Sequence, residues 1–115
     1  GDLSIRYFVE NMGNWDYFFL RTPEELELLG GAGFALDVGH AHLNGCLPAF
    51  LAFPIQHFHL HDNNGREDQH LPVGAGSIDF RTVMDAVRRN SAVPIVEVST
   101  LEGTLASLRA LKGLM

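Results

Sequence analysis

Cysteine, positive charge and long apolar runs are all scarce in this sequence of 115 residues. The single cysteine, Cys46, cannot form an internal disulfide, which fits a reducing, cytoplasmic location. Eight lysines and arginines against fourteen acidic residues give a net charge of −6, so the sequence lacks the basic surplus typical of duplex-DNA binders. The longest apolar runs, such as Cys46 to Ile55, fall well short of the ~20 residues of a membrane-spanning helix. We therefore expect neither nucleic acid nor a membrane as the main partner.

What the sequence does contain is an alternation of β-like and helical segments. The predicted strands are residues 4–10, 34–38, 55–61 and 93–98. The predicted helices are a segment opened by Thr22 and ended by Gly30 and Gly31, a short one at 48–53, one at 79–89 and one at the end of the chain. Strands that alternate with helices indicate a parallel sheet with right-handed crossovers. The sequence thus predicts one α/β domain, 1–115, built from four βα units.

Local signals define the individual helices. Thr22 and Glu25 have the spacing of a capping box, with Pro23 at the first helical position. Apolar residues at i, i+3, i+4 and i+7 predict the third helix: Phe80, Val83, Met84 and Val87. A second apolar stripe predicts that the last helix packs in the core: Leu101, Leu105, Leu108 and Leu111.

Each predicted strand carries an ionisable residue near its carboxyl end, on the face opposite its apolar residues. These residues are Glu10, Asp37, His59 and Glu97. Parallel α/β proteins form their sites at this end of the sheet. Three converging carboxylates would repel one another and their pKa values would rise, unless a cation joined them. For a single strand a separately solvated or salt-bridged acid is the better interpretation, but four strands in one phase favour a divalent-metal site. An O3N ligand set does not distinguish Mn, Mg, Co, Fe or Zn.

Five segments in order resemble the second half of the xylose-isomerase-like TIM-barrel superfamily. They are V-E-N-M at 9–12, L-D-V-G-H at 36–40, H-L-H-D-N at 59–63, D-Q-H-L-P-V-G-A-G-S-I-D-F at 68–80 and P-I-V-E-V at 94–98. The superfamily includes sugar-phosphate isomerases and epimerases as well as the endonuclease IV family. The resemblance covers essentially the whole chain. It implies the C-terminal four of the eight units of a barrel that typically needs ~250 residues.

The resemblance also assigns roles to particular residues. It matches the four strand-end residues to the ligands of the common metal site, and in the epimerase branch the glutamates matching Glu10 and Glu97 exchange protons with the substrate. His40 matches a substrate contact in that branch. In the endonuclease IV branch, His40, Asp68 and His70 match the ligands of a further metal. Glu10 would there bridge to a third metal that also needs two histidines from the N-terminal half.

Other polar residues near the predicted strand ends have two interpretations each. His61 lies at the rim, where it touches the substrate or orients a metal ligand. Arg66, the cation of the long polar loop, holds a substrate hydroxyl or phosphate, or is simply solvated. The backbone amides of Gly74 and Gly76 receive an anion before a helix start, or form a plain turn. His57 lies deeper on the same strand face as His59 and is predicted to be a hydrogen-bonded core residue.

Our leading hypothesis is a metal-dependent isomerase or epimerase that acts on a small sugar or sugar phosphate. The metal would polarise a carbonyl, and paired glutamates would move a proton through an enediolate. The first alternative is an endonuclease IV-like phosphodiesterase on abasic DNA, which the Asp68–His70 loop favours and the acidic charge does not. The second alternative is an inactive half-barrel.

Four parallel strands cannot close a barrel, and they leave two exposed edges. The chain is then a fragment that lacks the N-terminal half, one of two copies that complete a barrel together, or an open four-stranded sheet. The absence of an initial methionine favours a fragment.

Overall fold

A computed structural model describes residues 8–13, 20–30 and 32–114. Four parallel strands form one sheet in sequential order. They are β1 (Phe8–Glu10), β2 (Gly33–Asp37), β3 (His57–Leu60) and β4 (Val93–Val96). This topology confirms the predicted α/β class and the half-barrel of (β/α) units. Residues 4–7 of the first predicted strand, and Gly31 at the end of the first predicted helix, lie outside the described residues.

The helices follow the predicted order with local differences. The segment Pro23–Leu29 is a 3₁₀ helix, and the α-helices are α1 (Val38–Leu43), α2 (Leu47–Phe50), α3 (Phe80–Asn90) and α4 (Leu101–Lys112). Helix α1 was not predicted, since its residues were divided between a strand and a loop. Within the described ranges, no helix has both the length and the hydropathy needed to cross a membrane.

The capping box predicted at Thr22 forms only in part. The Thr22 side chain makes no capping hydrogen bond at the start of the 3₁₀ helix. The Glu25 carboxylate also reaches further back, and accepts from the backbone N–H groups of Leu20 at 2.6 Å and Arg21 at 3.2 Å. The positive φ of Leu20, 59°, turns its N–H toward that carboxylate. The carboxylate thus satisfies backbone donors that precede the helix in addition to the Thr22 N–H that a capping box predicts.

The core lies between one face of the sheet and the helices. Leu36, Phe58 and Leu60 are fully buried on that face, and the predicted apolar positions of α3 are buried as well. Phe34 and Phe50 stack with their ring centroids 5.5 Å apart, which fixes α2 against β2. Each such side chain contributes roughly 1.5–3 kcal/mol through removal of apolar surface from water.

The prediction for the last helix is wrong for three of its four leucines. Leu111 is buried, whereas Leu101, Leu105 and Leu108 are 74%, 43% and 50% exposed. The other buried residues of α4 are small and pack against the long loop. Ser107 Oγ accepts from Val73 N–H at 2.9 Å and donates to the Gly103 carbonyl at 2.8 Å. Since Val93 and Ile95 of β4 are also exposed, this end of the sheet presents an uncovered apolar surface.

Candidate metal centre

Four ionisable side chains from four adjacent strands meet at the carboxyl edge of the sheet. Glu10 and Asp37 end β1 and β2, His59 lies in β3, and Glu97 directly follows β4. The register pairs Asp37 with His59, and the Glu97 N–H donates to the Leu60 carbonyl at 2.9 Å. One candidate ligand atom from each residue lies within 4.8 Å of all the others. Ligands bound to one ion at ~2.0–2.6 Å have this spread. We call these four residues the strand-end cluster.

His59 is the centre of the strand-end cluster. Its Nδ1 lies 3.2 Å from Glu10 Oε1 and 2.9 Å from Glu97 Oε1. Carboxylate oxygens only accept hydrogen bonds, so a single imidazole nitrogen stands between two acceptors. The side chains of His59, Glu10 and Glu97 are between 21% and 36% exposed, so the cluster is open on one side to a small molecule.

Asp37 is the buried member of the strand-end cluster, with a side chain only 1% exposed. Its Oδ1 accepts from the His40 backbone N–H at 2.8 Å and lies 2.7 Å from His61 Nε2. The first of these hydrogen bonds caps the N-terminus of α1. Burial alone would favour the neutral acid, but hydrogen bonds from His61 and Glu10 outweigh it and lower the pKa of Asp37 to about 2. Asp37 is therefore an anion held in one orientation.

Glu10 shows the opposite shift. Burial, followed by the hydrogen bond and the negative charge of Asp37, raises the pKa of Glu10 to about 7. Without a cation, the two carboxylates thus share one proton near neutral pH. A divalent cation would take the place of that proton and remove the repulsion, so the donor set suits such an ion.

Asn11 is a further residue of the site that sequence reasoning missed. Its fully buried side chain donates from Nδ2 to the Asp37 carbonyl at 2.9 Å and accepts the Asp37 N–H at 2.6 Å. The amide thereby extends the hydrogen bonding between β1 and β2 by one step and fixes the backbone of Asp37. The backbone carbonyl oxygen of Asn11 lies 2.9 Å from His40 Nδ1. The sequence feature that could have indicated this role is the position of Asn11 directly after the strand-end Glu10, since a side-chain amide can both donate and accept hydrogen bonds.

A second group of donors lies beside the first. His40 Nε2 is 3.3 Å from Asp68 Oδ2, and His70 Nε2 is 3.2 Å from Asp68 Oδ1. One ligand atom from each of the three lies within 4.8 Å of the others. We call His40, Asp68 and His70 the loop cluster. His40 Nδ1 is also 3.6 Å from Asp37 Oδ2, so the loop cluster adjoins the strand-end cluster. His70 has a φ of 51°, a conformation uncommon for a residue other than glycine.

His61 is buried rather than exposed at the rim. Its ring stacks on that of His70, with centroids 3.8 Å apart and planes 5° from parallel. His61 Nε2 also contacts Asp37, so the side chain lies behind the strand-end cluster and not at its open side.

Asp62 organises the long loop and was also missed. The side chain is fully buried, and both of its oxygens accept backbone N–H groups at 2.9–3.1 Å. The donors are Asn63, Gly74, Gly76 and Ile78. A Cβ on Gly76 would lie 2.5 Å from Asp62 Oδ1, so only glycine allows this approach. The backbone amides of Gly74 and Gly76, considered from the sequence as a site for an anion, therefore donate to the carboxylate of Asp62.

Two predicted residues lie outside both clusters. Arg66 is exposed and lines a cavity of about 460 Å³ with Asn64, Glu67 and Gln69. His57 packs edge-on against Phe8, with centroids 4.4 Å apart.

The fold agrees with the comparisons to known proteins. A family model described as xylose isomerase-like TIM barrel matches residues 2–114. The chain belongs to the xylose isomerase-like TIM-barrel family.

Three relatives are similar over less than half of their own length. The uncharacterized protein MJ1614 of Methanocaldococcus jannaschii is 35% identical over 101 residues, which are 84% of this chain and 40% of the relative. The uncharacterized protein MJ1311 of the same organism is 34% identical over 99 residues, 76% of this chain and 34% of the relative. The crystal structure of a D-tagatose 3-epimerase-like protein superposes with a TM-score of 0.84 at 30% identity, covering 96% of this chain and 46% of that protein.

Proposed function

We propose that this chain supplies the C-terminal half of a divalent-metal-dependent isomerase or epimerase that acts on a small sugar or sugar phosphate. The observation that carries the proposal is the convergence of two glutamates, an aspartate and a histidine from four adjacent strands within 4.8 Å. The family match and the similarity to a D-tagatose 3-epimerase-like protein support the same class of reaction.

The strand-end cluster would hold the cation, which when bound polarises a substrate carbonyl and acidifies the neighbouring C–H bond. Glu10 and Glu97 flank His59 on the open side of the cluster. One of these glutamates removes the proton from the carbon next to the carbonyl, which leaves an enediolate. The other glutamate returns a proton to carbon. The proton goes either to the former carbonyl carbon, while the hydroxyl proton of the first carbon passes to the former carbonyl oxygen, or to the opposite face of the first carbon. The first outcome is isomerisation and the second is epimerisation.

Neighbouring residues supply substrate contacts in this proposal. His40 is 18% exposed and is the member of the loop cluster that contacts Asp37, where it can hold a substrate hydroxyl. Arg66 precedes Asp68 by two residues in the same loop and would offer a positive charge to a phosphate. His61, which is buried, acts on the substrate only through the residues it contacts.

The uncovered apolar surface on β4 and α4 fits the missing part of a barrel. We assign it to the N-terminal four βα units rather than to a second copy, because this chain aligns with 46% of the epimerase-like structure and 40% of MJ1614. The exposed side chains there would be covered by that half: Val93, Ile95, Leu101, Leu105 and Leu108.

The loop cluster favours a second candidate function. A second cation at His40, Asp68 and His70 would suit an endonuclease IV-like phosphodiesterase that acts on abasic DNA. The net charge of −6 argues against a DNA substrate. Metal content distinguishes the two, since one bound ion per site favours the isomerase and three zinc ions favour the nuclease.

The test begins with elemental analysis of the intact protein and continues with a panel of sugars and sugar phosphates in D₂O. We expect turnover with the identified ion, and deuterium at the carbon next to the carbonyl. Turnover without deuterium incorporation would contradict the glutamate mechanism. Cleavage of abasic-site DNA, with no reaction of any sugar, would establish the phosphodiesterase instead.

A further inference from the structure

His61 contacts residues from both donor clusters. Its Nε2 lies 2.7 Å from Asp37 Oδ1, and its ring stacks on His70 at a centroid distance of 3.8 Å. The side chain is 0% exposed, so no substrate or solvent reaches it in this structure. A buried imidazole in this position acts on the site through the residues it touches, and Asp37 is the strand-end residue to which it is hydrogen-bonded.

The hydrogen bond to Asp37 has a defined direction and a defined oxygen. A carboxylate oxygen only accepts, so His61 Nε2 donates. The His40 backbone N–H donates to the same Oδ1 at 2.8 Å. Two donors thus hold one oxygen of Asp37, and Oδ2 is left as the oxygen that faces a cation.

The backbone of α1 has a glycine where the His61 ring lies. A Cβ on Gly39 would overlap the His61 Cε1, Nδ1 and Nε2 atoms. The Gly39 carbonyl accepts from the buried Asn63 Nδ2 at 3.0 Å, which holds this turn of the helix in place. The close approach of ring and backbone therefore depends on the absence of a side chain at position 39.

We infer that His61 is a positioning residue: it fixes the Asp37 carboxylate so that Oδ2 is presented to a divalent cation, and Gly39 and His70 hold its ring in place. This inference rests on the proposed cation site. Partners of this kind, which orient a metal ligand from behind, typically change metal affinity by about 10–100-fold when they are removed.

Two substitutions separate the hydrogen bond from the packing. His61→Phe keeps a ring that can stack on His70 but removes the donor, whereas His61→Gln retains an N–H donor for Asp37. We expect His61→Phe to raise the Mn²⁺ dissociation constant of the intact protein by about 10–100-fold in calorimetric titrations without substrate. His61→Gln should restore most of the affinity. His57→Phe, at the start of β3 and outside both clusters, is the matched control and should leave Mn²⁺ binding unchanged.

A second variant tests the same claim without changing the imidazole. Gly39→Ala should displace the His61 ring and weaken Mn²⁺ binding in the manner of His61→Phe, although alanine favours a helix more than glycine does. Gly13→Ala is its control, because a Cβ there would lie at an ordinary 3.8 Å from His40 Cδ2.

The outcomes separate this inference from the proposed function. If the unsubstituted protein binds no Mn²⁺, both are overturned. If it binds Mn²⁺ and His61→Phe binds equally well, only the positioning role of His61 is overturned. Equal losses of affinity in the Phe and Gln variants, together with equal losses of thermal stability, would reduce His61 to a packing residue and also overturn that role.

Discussion

The carboxyl groups of Glu10 and Asp37 share a hydrogen bond, and their pKa values are shifted in opposite directions. Burial and this contact raise the pKa of Glu10 to about 7. Hydrogen bonds from His61 and Glu10 overcome burial and lower the pKa of Asp37 to about 2. The pair behaves as a single acid that keeps one proton until near neutral pH. This proton lies between the two carboxyl groups, where a cation bound to both would replace it.

Cation binding should therefore release a proton and strengthen as the pH rises. We expect the Mn²⁺ dissociation constant to fall between pH 6 and pH 8, because the cation competes with the proton held by Glu10. Calorimetry in two buffers with different ionisation enthalpies measures the number of protons released. A dissociation constant that stays constant across this range would show that Glu10 is not a ligand.

The stability of the metal-free protein should show the reverse dependence on pH. The pKa of Glu10 is raised above its ordinary value of 4.5, so its contribution is complete below pH 4.5 and is lost as the pH rises through about 7. The contribution of Asp37 is lost only as the pH falls toward about 2, far from this window. We expect urea unfolding to show lower stability at pH 8 than at pH 6. Glu10→Gln should flatten this slope, and an unchanged slope would contradict the shared proton.

Glu97 is expected to be indispensable for turnover. Glu97→Gln keeps the shape of the side chain but removes the charge and the capacity to transfer a proton. We expect kcat/KM to fall by at least ~100-fold and Mn²⁺ binding to weaken. Glu102→Gln, in the first turn of α4, is the control and should behave as the unsubstituted protein. A Glu97→Gln variant with an unchanged rate would remove Glu97 from the mechanism.

The strand-end cluster could be predicted because strand geometry is local. Alternation along each strand puts Asp37 and His59 on one face, and parallel order then brings their ends together. Helix α1 could not be predicted in the same way. Gly39 lowers the helical propensity of so short a segment, and the helix begins where the Asp37 carboxylate accepts the His40 N–H.

The missed residues have partners that are distant in the sequence. Asn11 bonds to Asp37, 26 residues away, and Asp62 bonds to Ile78, 16 residues away. No local period reveals such pairs. The leucine stripe of α4 shows a different limit of sequence analysis. Periodicity predicts that an apolar face is covered, but it does not identify the part of the protein that covers it. In this chain, Leu101 and Leu108 remain exposed.

Asp62 should determine whether the loop that carries Asp68 and His70 is ordered. Asp62→Asn would replace one of two accepting oxygens with an NH₂ group, which would then face backbone donors. We expect a loss of about 2–4 kcal/mol in the free energy of unfolding, and faster hydrogen exchange at Gly74 and Gly76. The matched control is Asp79→Asn, since Asn and Asp are similar as N-caps of a helix such as α3. Equal effects of the two substitutions would contradict the anchoring role of Asp62.

Asp68 should decide how many cations the protein holds. Its two oxygens contact His40 and His70 separately, so the carboxylate joins the loop cluster together. We expect Asp68→Ala to lower the number of bound ions per chain while the strand-end ion is retained, because no member of the strand-end cluster is changed. Asp85→Ala, which removes an exposed carboxylate paired with Arg88 on α3, is the control for the loss of a negative charge. Elemental analysis of the purified variants at equal protein concentration measures the number. If Asp68→Ala leaves the metal content unaltered, the loop cluster holds no ion, and Asp68 is restricted to a contact with substrate or to the support of His40 and His70.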